Sequence, residues 1–210
     1  QLELVGAYRL ACAQQIIQKH GREGLYTDSL FSYTDAMTPY LHQGIELGRS
    51  FVQPKYWGRK SLDYLWYGIG AFIKNYPQYR YLFGAVSVSN ALPEQAKAML
   101  VYYYQHYYKS SIELATPNNE LKLTEQQLTQ CNILFNGNDV KEDFVELKHV
   151  LANMGAQVPT LFKQYTELCN PGGVQFLSFS IDPDFNNCID GLVLVDLKSV
   201  KENKAKRYLE

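Results

Sequence analysis

Gly58, Arg59, Lys60 and Ser61 stand where a strand-like run gives way to a helix-like one, and residues of these types can do chemistry there. The first turn of a helix carries free backbone N–H groups and a partial positive charge, so it receives anions, phosphate above all. Arg59 and Lys60 would add two full charges at the same place. An ordinary strand–helix connection with solvated cations fits the same residues, and both readings stay open. Just upstream, Glu46 and Arg49 lie in the run Gly-Ile-Glu-Leu-Gly-Arg-Ser-Phe-Val from Gly44 to Val52. Regular strand geometry sends them to opposite faces. A bulge near Gly48 would bring both toward one site. Arg49 can equally pair with a surface carboxylate, or with Glu46 itself. Asp182, Asp184 and Asn186 crowd one turn, which their residue types alone explain. His106 and His149 have no Asp and Ser spacing that suggests a triad. The cysteines at 12, 131, 169 and 188 form no Cys-x-x-Cys pair, so no zinc site is expected.

The elements that must position these groups follow from periodicity. Leu2 to Leu10, Gly44 to Val52, Arg80 to Ser89, Val174 to Ile181 and Cys188 to Asp196 read as strands. Arg80 to Ser89 is apolar on both faces at first, the pattern of a central strand. Leu62, Leu65, Trp66, Ile69, Phe72 and Ile73 form one apolar stripe, so Ser61 to Tyr76 is an amphipathic helix with Ser61 as its expected N-cap. Further helices are expected from Pro93 to about Lys109, from Lys141 to Asn153 and from Thr160 to Cys169. Cys12 to His20 fits a short helix or a loop, and Leu25 to Leu41 has no clear period. The polar stretch at about 112–140, with turn signals at Pro117-Asn118-Asn119 and Asn136-Gly137-Asn138-Asp139, reads as an insertion with little regular structure. Strands alternating with helices imply one mixed α/β domain over residues 1–210.

Composition excludes several classes. The 210 residues carry 20 Lys and Arg against 21 Asp and Glu, a net charge of −1, so bulk electrostatics does not drive nucleic-acid binding and no nucleic-acid partner is expected. No apolar run nears the roughly 18 residues of a membrane span, and no signal peptide is expected. The sparse cysteines fit reduced thiols, and the expected location is cytoplasmic. Gln1 opens the sequence without a methionine and Leu209-Glu210 closes it, so an excised piece of a larger protein is expected. Seventeen tyrosines are the odd feature of the count. Five of them (Tyr102, Tyr103, Tyr104, Tyr107 and Tyr108) fall on one helix, where about 100° per residue spreads them over most of its circumference. Two readings stay open: ordinary core packing, or an aromatic face covered by a partner or a lipid surface.

A resemblance carries the reading further. Glu46-Leu47-Gly48-Arg49-Ser50-Phe51-Val52, then Pro54-x-Tyr56, then Leu65-Trp66-x-Gly68-Ile69 resembles the acyl-ACP-dependent branch of the GNAT superfamily. That branch includes the ornithine-lipid type N-acyltransferases and, more distantly, the acyl-homoserine-lactone synthases. Gly6-Ala7-Tyr8-Arg9-Leu10 and the closing Asp182-Pro183-Asp184-Phe185-Asn186 with Val193-Leu194-Val195-Asp196 resemble that family's opening strand and C-terminal hairpin. Tyr79 to Ser89 and Lys163-Gln164-Tyr165-x-x-Leu168 look like the "putative hemolysin" group, in which a GNAT-like domain is joined to a lysophospholipid-acyltransferase domain. Lys55-Tyr56-Trp57-Gly58-Arg59-Lys60 keeps only the central Gly of the general superfamily phosphate loop, which suits the single phosphate of an ACP phosphopantetheine arm better than acetyl-CoA.

The resemblance implies a GNAT-like fold, a central mixed sheet flanked by helices, incomplete at its N-terminus. It implies an N-acyltransferase moving a (3-hydroxy)acyl chain from acyl-ACP, or acyl-CoA, to the amine of an amino acid in aminolipid synthesis. Glu46 is then the expected base, directly or through water, with Arg49 beside it. Gly58, Arg59, Lys60 and Ser61 would seat the donor phosphate. The strand around Val86 and Ser87 would offer backbone donors to the thioester oxygen. Asp182, Asp184 and Asn186 would form a polar rim for the amino-acid headgroup. The expected partners are an acyl carrier protein, the amino-acid acceptor and a fused or neighbouring lysophospholipid acyltransferase, with peripheral contact at the inner face of the membrane. The alternative is a catalytically degenerate module that binds ACP or docks a phospholipid acyltransferase. Membrane lysis, the literal meaning of the group's label, has no support in a chain without a strongly cationic amphipathic helix.

Overall fold

The computed structural model describes residues 3–135, 137 and 139–209. The expected start of the first strand at Leu2, the turn positions Asn136 and Asn138, and the termini Gln1 and Glu210 lie outside the described residues. In chain order the strands are β1 (Gly6–Cys12), β2 (Phe31–Tyr33), β3 (Gly44–Val52), β4 (Tyr81–Val88), β5 (Ala115–Pro117), β6 (Val174–Asp182) and β7 (Cys188–Asp196). The helices are α1 (Ala13–His20), α2 (Thr38–His42), α3 (Ser61–Asn75), α4 (Glu94–Tyr108), α5 (Glu125–Leu134), α6 (Val140–Asn153), α7 (Thr160–Leu168) and α8 (Glu202–Tyr208).

Five strands make one mixed sheet in the order β1-β3-β4-β7-β6. Only β3 and β4 run parallel; the other neighbours are antiparallel. Alternation along each strand feeds two cores. On one face Ile45, Leu47, Leu82, Val86, Val193 and Val195 pack with α3, α4 and α7. On the other, Phe83, Leu192 and Leu194 pack with Leu25, Phe31, Met37 and Leu41 from the segment between β1 and β3. β4 is therefore central and apolar on both faces, as its sequence implies.

β3 and β4 part soon after they meet. Their ladder holds only Gly44↔Tyr81, Ile45↔Leu82 and Glu46↔Phe83, although each strand runs on for several residues. Gly84 sits at the fork, where a Cβ would lie 2.3 Å from the Leu47 carbonyl oxygen. On its other side β3 pairs with β1, and the register slips between Ala7↔Phe51 and Arg9↔Gly48, so Arg49 and Ser50 together oppose Tyr8. This is a β-bulge, and Arg49 adopts a left-handed φ of 56° within it.

Several expectations are corrected. The first described strand starts at Gly6 rather than Leu2, and Cys12 is its end, with α1 following. Ser61 is the first helical residue of α3, not its cap; Lys60 holds that place and no side chain caps the helix. The 112–140 stretch is not structureless. β5 pairs with β2, and α5 opens on a Thr124–Gln127 capping box and buries Cys131 and Phe135 against the α4 face. Its low amphipathicity and a strand partner some 80 residues away in sequence hide both elements from a periodicity reading. α8 follows β7 and lies beyond the elements that periodicity predicts. It packs on α3 through Tyr208, which lies against Trp66 and Tyr67, and through Arg207 and Tyr208 to Asp63.

Candidate active site

The fork between β3 and β4 is where the chemistry-bearing residues gather. Past Glu46 and Phe83 neither strand has the other as a ladder partner, so two strand edges face one another across a gap. Behind the gap, Tyr8, Leu47 and Ser50 meet Leu62 and Trp66 of α3 and Tyr165 of α7 around a narrow apolar cavity. Val86 turns into this apolar side and is buried, so at that position the backbone, not the side chain, is left for the gap.

Glu46 lies on the opposite face with no exposed surface. Both of its oxygens are engaged. Oε1 accepts from the Thr27 amide at 2.8 Å and the Thr27 hydroxyl at 2.7 Å; Oε2 accepts from Arg9 Nη2 at 2.7 Å and the Tyr26 amide at 3.2 Å. The Tyr33 hydroxyl closes on Thr27 in turn. The partner of Glu46 is thus Arg9 on β1, not Arg49, and the pair does what the bland alternative assigned to Glu46 and Arg49. Four protein donors hold the carboxylate that the resemblance makes a base, and together they fasten the Tyr26–Thr27 turn onto the sheet.

Arg49 points elsewhere. Its guanidinium stands 5.4 Å from the centroid of the Tyr26 ring. The Tyr26 hydroxyl donates to Asp182 Oδ2 at 3.0 Å. Burial, then the neighbouring Asp182, pushes the Tyr26 phenol up to about 12. Asp182 is buried, and its Oδ1 accepts from the amides of Asp184 and Phe185 at 2.9 and 3.1 Å, so it caps the turn that follows β6. Asp184 and Asn186 are exposed on that turn, with Asn186 at a left-handed φ of 54°. Of the expected rim, one residue therefore braces the turn and two face solvent.

One group of this face escaped the sequence reading. Asp190, on β7 opposite Ser87 of β4, is 1% exposed. Its Oδ1 accepts from the Ser87 hydroxyl at 2.5 Å, and its Oδ2 has no partner among the described residues. Burial, helped by the charge of Asp182 and opposed by the Ser87 bond, raises the Asp190 carboxyl to about 6. Ser87 itself is exposed. A lone carboxylate in Cys-Ile-Asp-Gly-Leu-Val is the signal that could have found it. Arg9, Tyr26 and Thr27 carry no comparable mark, because their partners come from other elements.

The loop after β3 lies on the way into α3. Gly58 has a φ of 71° and open space around it. Lys55 and Arg59 stand 5.2 and 5.9 Å from the Tyr56 ring centroid, Lys55 also pairs with Glu3, and Arg59 and Lys60 are exposed. With no side-chain cap at Lys60, the first-turn amides of α3 stay available beside two cations. Among the described residues no group of His, Cys, Asp and Glu is arranged to hold a metal, and no helix is long and apolar enough to cross a membrane.

The family described as "Acetyltransferase (GNAT) domain" matches residues 1–67, which run from the chain start through β3 into α3. The central mixed sheet flanked by helices agrees with the GNAT fold. The chain is also similar to two proteins called glycine N(alpha)-acyltransferase. One, from Bacteroides thetaiotaomicron, is 28% identical over 99% of this chain and 64% of its own length. The other, from Phocaeicola vulgatus, is 26% identical over 99% of this chain and 66% of its own length. The chain thus spans about two thirds of these relatives. No solved structure matches it.

Proposed function

We propose that this chain is the acyl-transfer part of an N-acyltransferase, which moves an acyl group from a thioester to the amine of an amino acid. The observation that carries the reading is the fork. A gap between two strand edges accepts an extended, amide-bearing arm as an added strand, and phosphopantetheine is such an arm. The first turn of α3 with Arg59 and Lys60 suits its phosphate, whether on acyl-ACP or acyl-CoA. β4 backbone amides past Gly84 suit the thioester oxygen as charge develops. The acceptor then approaches from the face that holds Tyr26, Ser87 and Asp182. The two glycine N-acyltransferase relatives make glycine the first acceptor to test. A long 3-hydroxyacyl donor and an aminolipid product are the finer part of this proposal. On this reading Glu46 and Arg49 serve the reaction by fixing the Tyr26 turn at the fork. An acyl carrier protein, a neighbouring lysophospholipid acyltransferase and the inner face of the membrane belong to the same proposal.

The test is to incubate the full-length protein with acyl-ACP and, separately, acyl-CoA of several lengths, in the presence of glycine and a panel of other amino acids. Mass spectrometry should show an N-acylated amino acid. If no amine is acylated while the acyl donor still binds, the non-catalytic docking module replaces this reading. The saturated Glu46 carboxylate is what favours that second reading.

A further inference from the structure

We propose that Ser87 and Asp190 form a proton relay that takes the proton from the acceptor ammonium, a role that Glu46 does not have free lone pairs to fill. The inference rests on the N-acyltransferase reading and deepens its site.

An amino acid arrives as an ammonium, which cannot attack a carbonyl until one proton leaves. The group that removes it must accept a hydrogen bond on the open side of the site. Glu46 is closed on every side by Arg9, Thr27 and the Tyr26 amide. Ser87 is different. Its hydroxyl is exposed, it lies on β4 past the fork, and its own proton is already committed to Asp190 Oδ1. Its lone pairs are therefore turned away from Asp190 and can accept from an N–H donor. Phe83 pairs with Glu46, and Ser87 follows it at even spacing, so the hydroxyl is on the same face as Glu46 and the Tyr26 turn.

The proton balance is simple. One ammonium N–H proton passes to Ser87 Oγ as the Ser87 proton passes to Asp190 Oδ1. The freed lone pair forms the C–N bond at the thioester carbonyl. The C–S bond breaks, and the leaving thiolate takes the second nitrogen proton. Asp190 returns its proton to water through Ser87. The relay needs a carboxyl that accepts a proton near neutral pH yet releases it again. Burial of Asp190 beside Asp182 places it there, at about 6. The groups facing Asp190 are Ser87 from β4, Asp182 from β6, and Tyr26 from the turn, with Arg49 of β3 behind the Tyr26 ring. A structural hydrogen bond alone does not call for a second oxygen that is buried and unpartnered.

The test uses the full-length enzyme, its acyl thioester and two nucleophiles, glycine and hydroxylamine. Glycine is protonated at neutral pH and hydroxylamine is not. Asp190→Asn should lower kcat/KM for glycine on the order of 100-fold or more and remove the acid limb of its pH profile. Hydroxylamine turnover should fall less than about 5-fold, because no proton must be taken first. Ser87→Ala, a change at an exposed hydroxyl, should show the same split and tests the relay independently of the Asp190 carboxyl. Equal losses with both nucleophiles, or an unchanged acid limb in both variants, overturn the relay alone. A wild-type enzyme that acylates no amine overturns the N-acyltransferase reading and the relay with it.

Discussion

Glu46 and Asp190 are both carboxylates, both buried, and both on the same face of the sheet, yet their surroundings treat them in opposite ways. Glu46 has four donors, one of them a guanidinium. Asp190 has one hydroxyl and an empty oxygen. The Glu46 contacts fasten a turn to the sheet, whereas the burial of Asp190 opposes its charged form. Stability should follow. The folded carboxyl of Asp190 sits near 6, above its ordinary value of 3.8. Below about pH 4 the group is neutral folded or unfolded and costs nothing; as pH rises through 6 that favourable neutral form is lost and the folded state bears the buried charge. Asp190→Asn should therefore raise unfolding stability by roughly 2 kcal/mol at pH 7.5 and change it little near pH 4. Urea melts at the two pH values check this, and equal effects at both would show that the burial cost is not ionic. Sequence made the two residues look alike, each a lone acid between apolar neighbours. What separates them is Arg9 and Thr27, which reach Glu46 from distant positions that no local pattern connects.

At the scale of elements, strands and long helices were legible because their side chains report one buried face each. α3 shows its apolar stripe, and β4 its doubly buried run. The fork was not legible, since it is a relation between two strands. Its one trace is Gly84, which looks like any glycine until the Leu47 carbonyl is placed against it. A methyl group at Gly84 has 2.3 Å where it needs well over 3 Å, and the atom it meets is backbone, which cannot rotate away. Gly84→Ala should therefore cost on the order of 2–3 kcal/mol and spread β3 from β4 at the base of the gap. If the gap takes the donor arm, the variant's KM for the acyl thioester should rise more than its KM for the amine. Thermal melts and paired saturation curves measure the two effects. A stable Gly84→Ala protein with an unaltered donor KM would mean that the fork does not hold the donor. β5 and α5 stayed hidden for a related reason: β5 pairs with β2 from a distant part of the chain, and Phe135 at the end of α5 packs on Tyr102 and Tyr103 of α4.

Over the whole molecule the tyrosine excess becomes a statement about the core. Tyr103 and Tyr104 of α4 are buried, and Tyr102, Tyr107 and Tyr108 are half-buried, because α6, the Phe135 ring after α5, and the β6 aromatics close around a helix that the bare α4 sequence leaves aromatic nearly all round. Most of the exposed aromatics lie instead on α3 or beside it, at Phe51, Trp57, Tyr64, Tyr67 and Tyr76, with Phe185 apart from them on the turn after β6. Burial raises the phenols of Tyr33, Tyr103, Tyr104 and Tyr165 well above 10, with burial the leading cause for each. In the unfolded chain all of these ionise near 10, so the stability that their neutral forms supply is present below that pH and disappears above it. An alkaline titration followed at the tyrosinate absorbance should thus run in two phases. The exposed phenols ionise first while the circular dichroism of the fold is unchanged. The buried ones ionise together, in a jump that coincides with unfolding. A single smooth phase completed before any loss of circular dichroism would mean that α4 is not enclosed and that its tyrosines face solvent or a partner after all. A second phase locked to unfolding would place the tyrosine excess mainly in packing, with the α4 phenols enclosed by α6, Phe135 and the β6 aromatics.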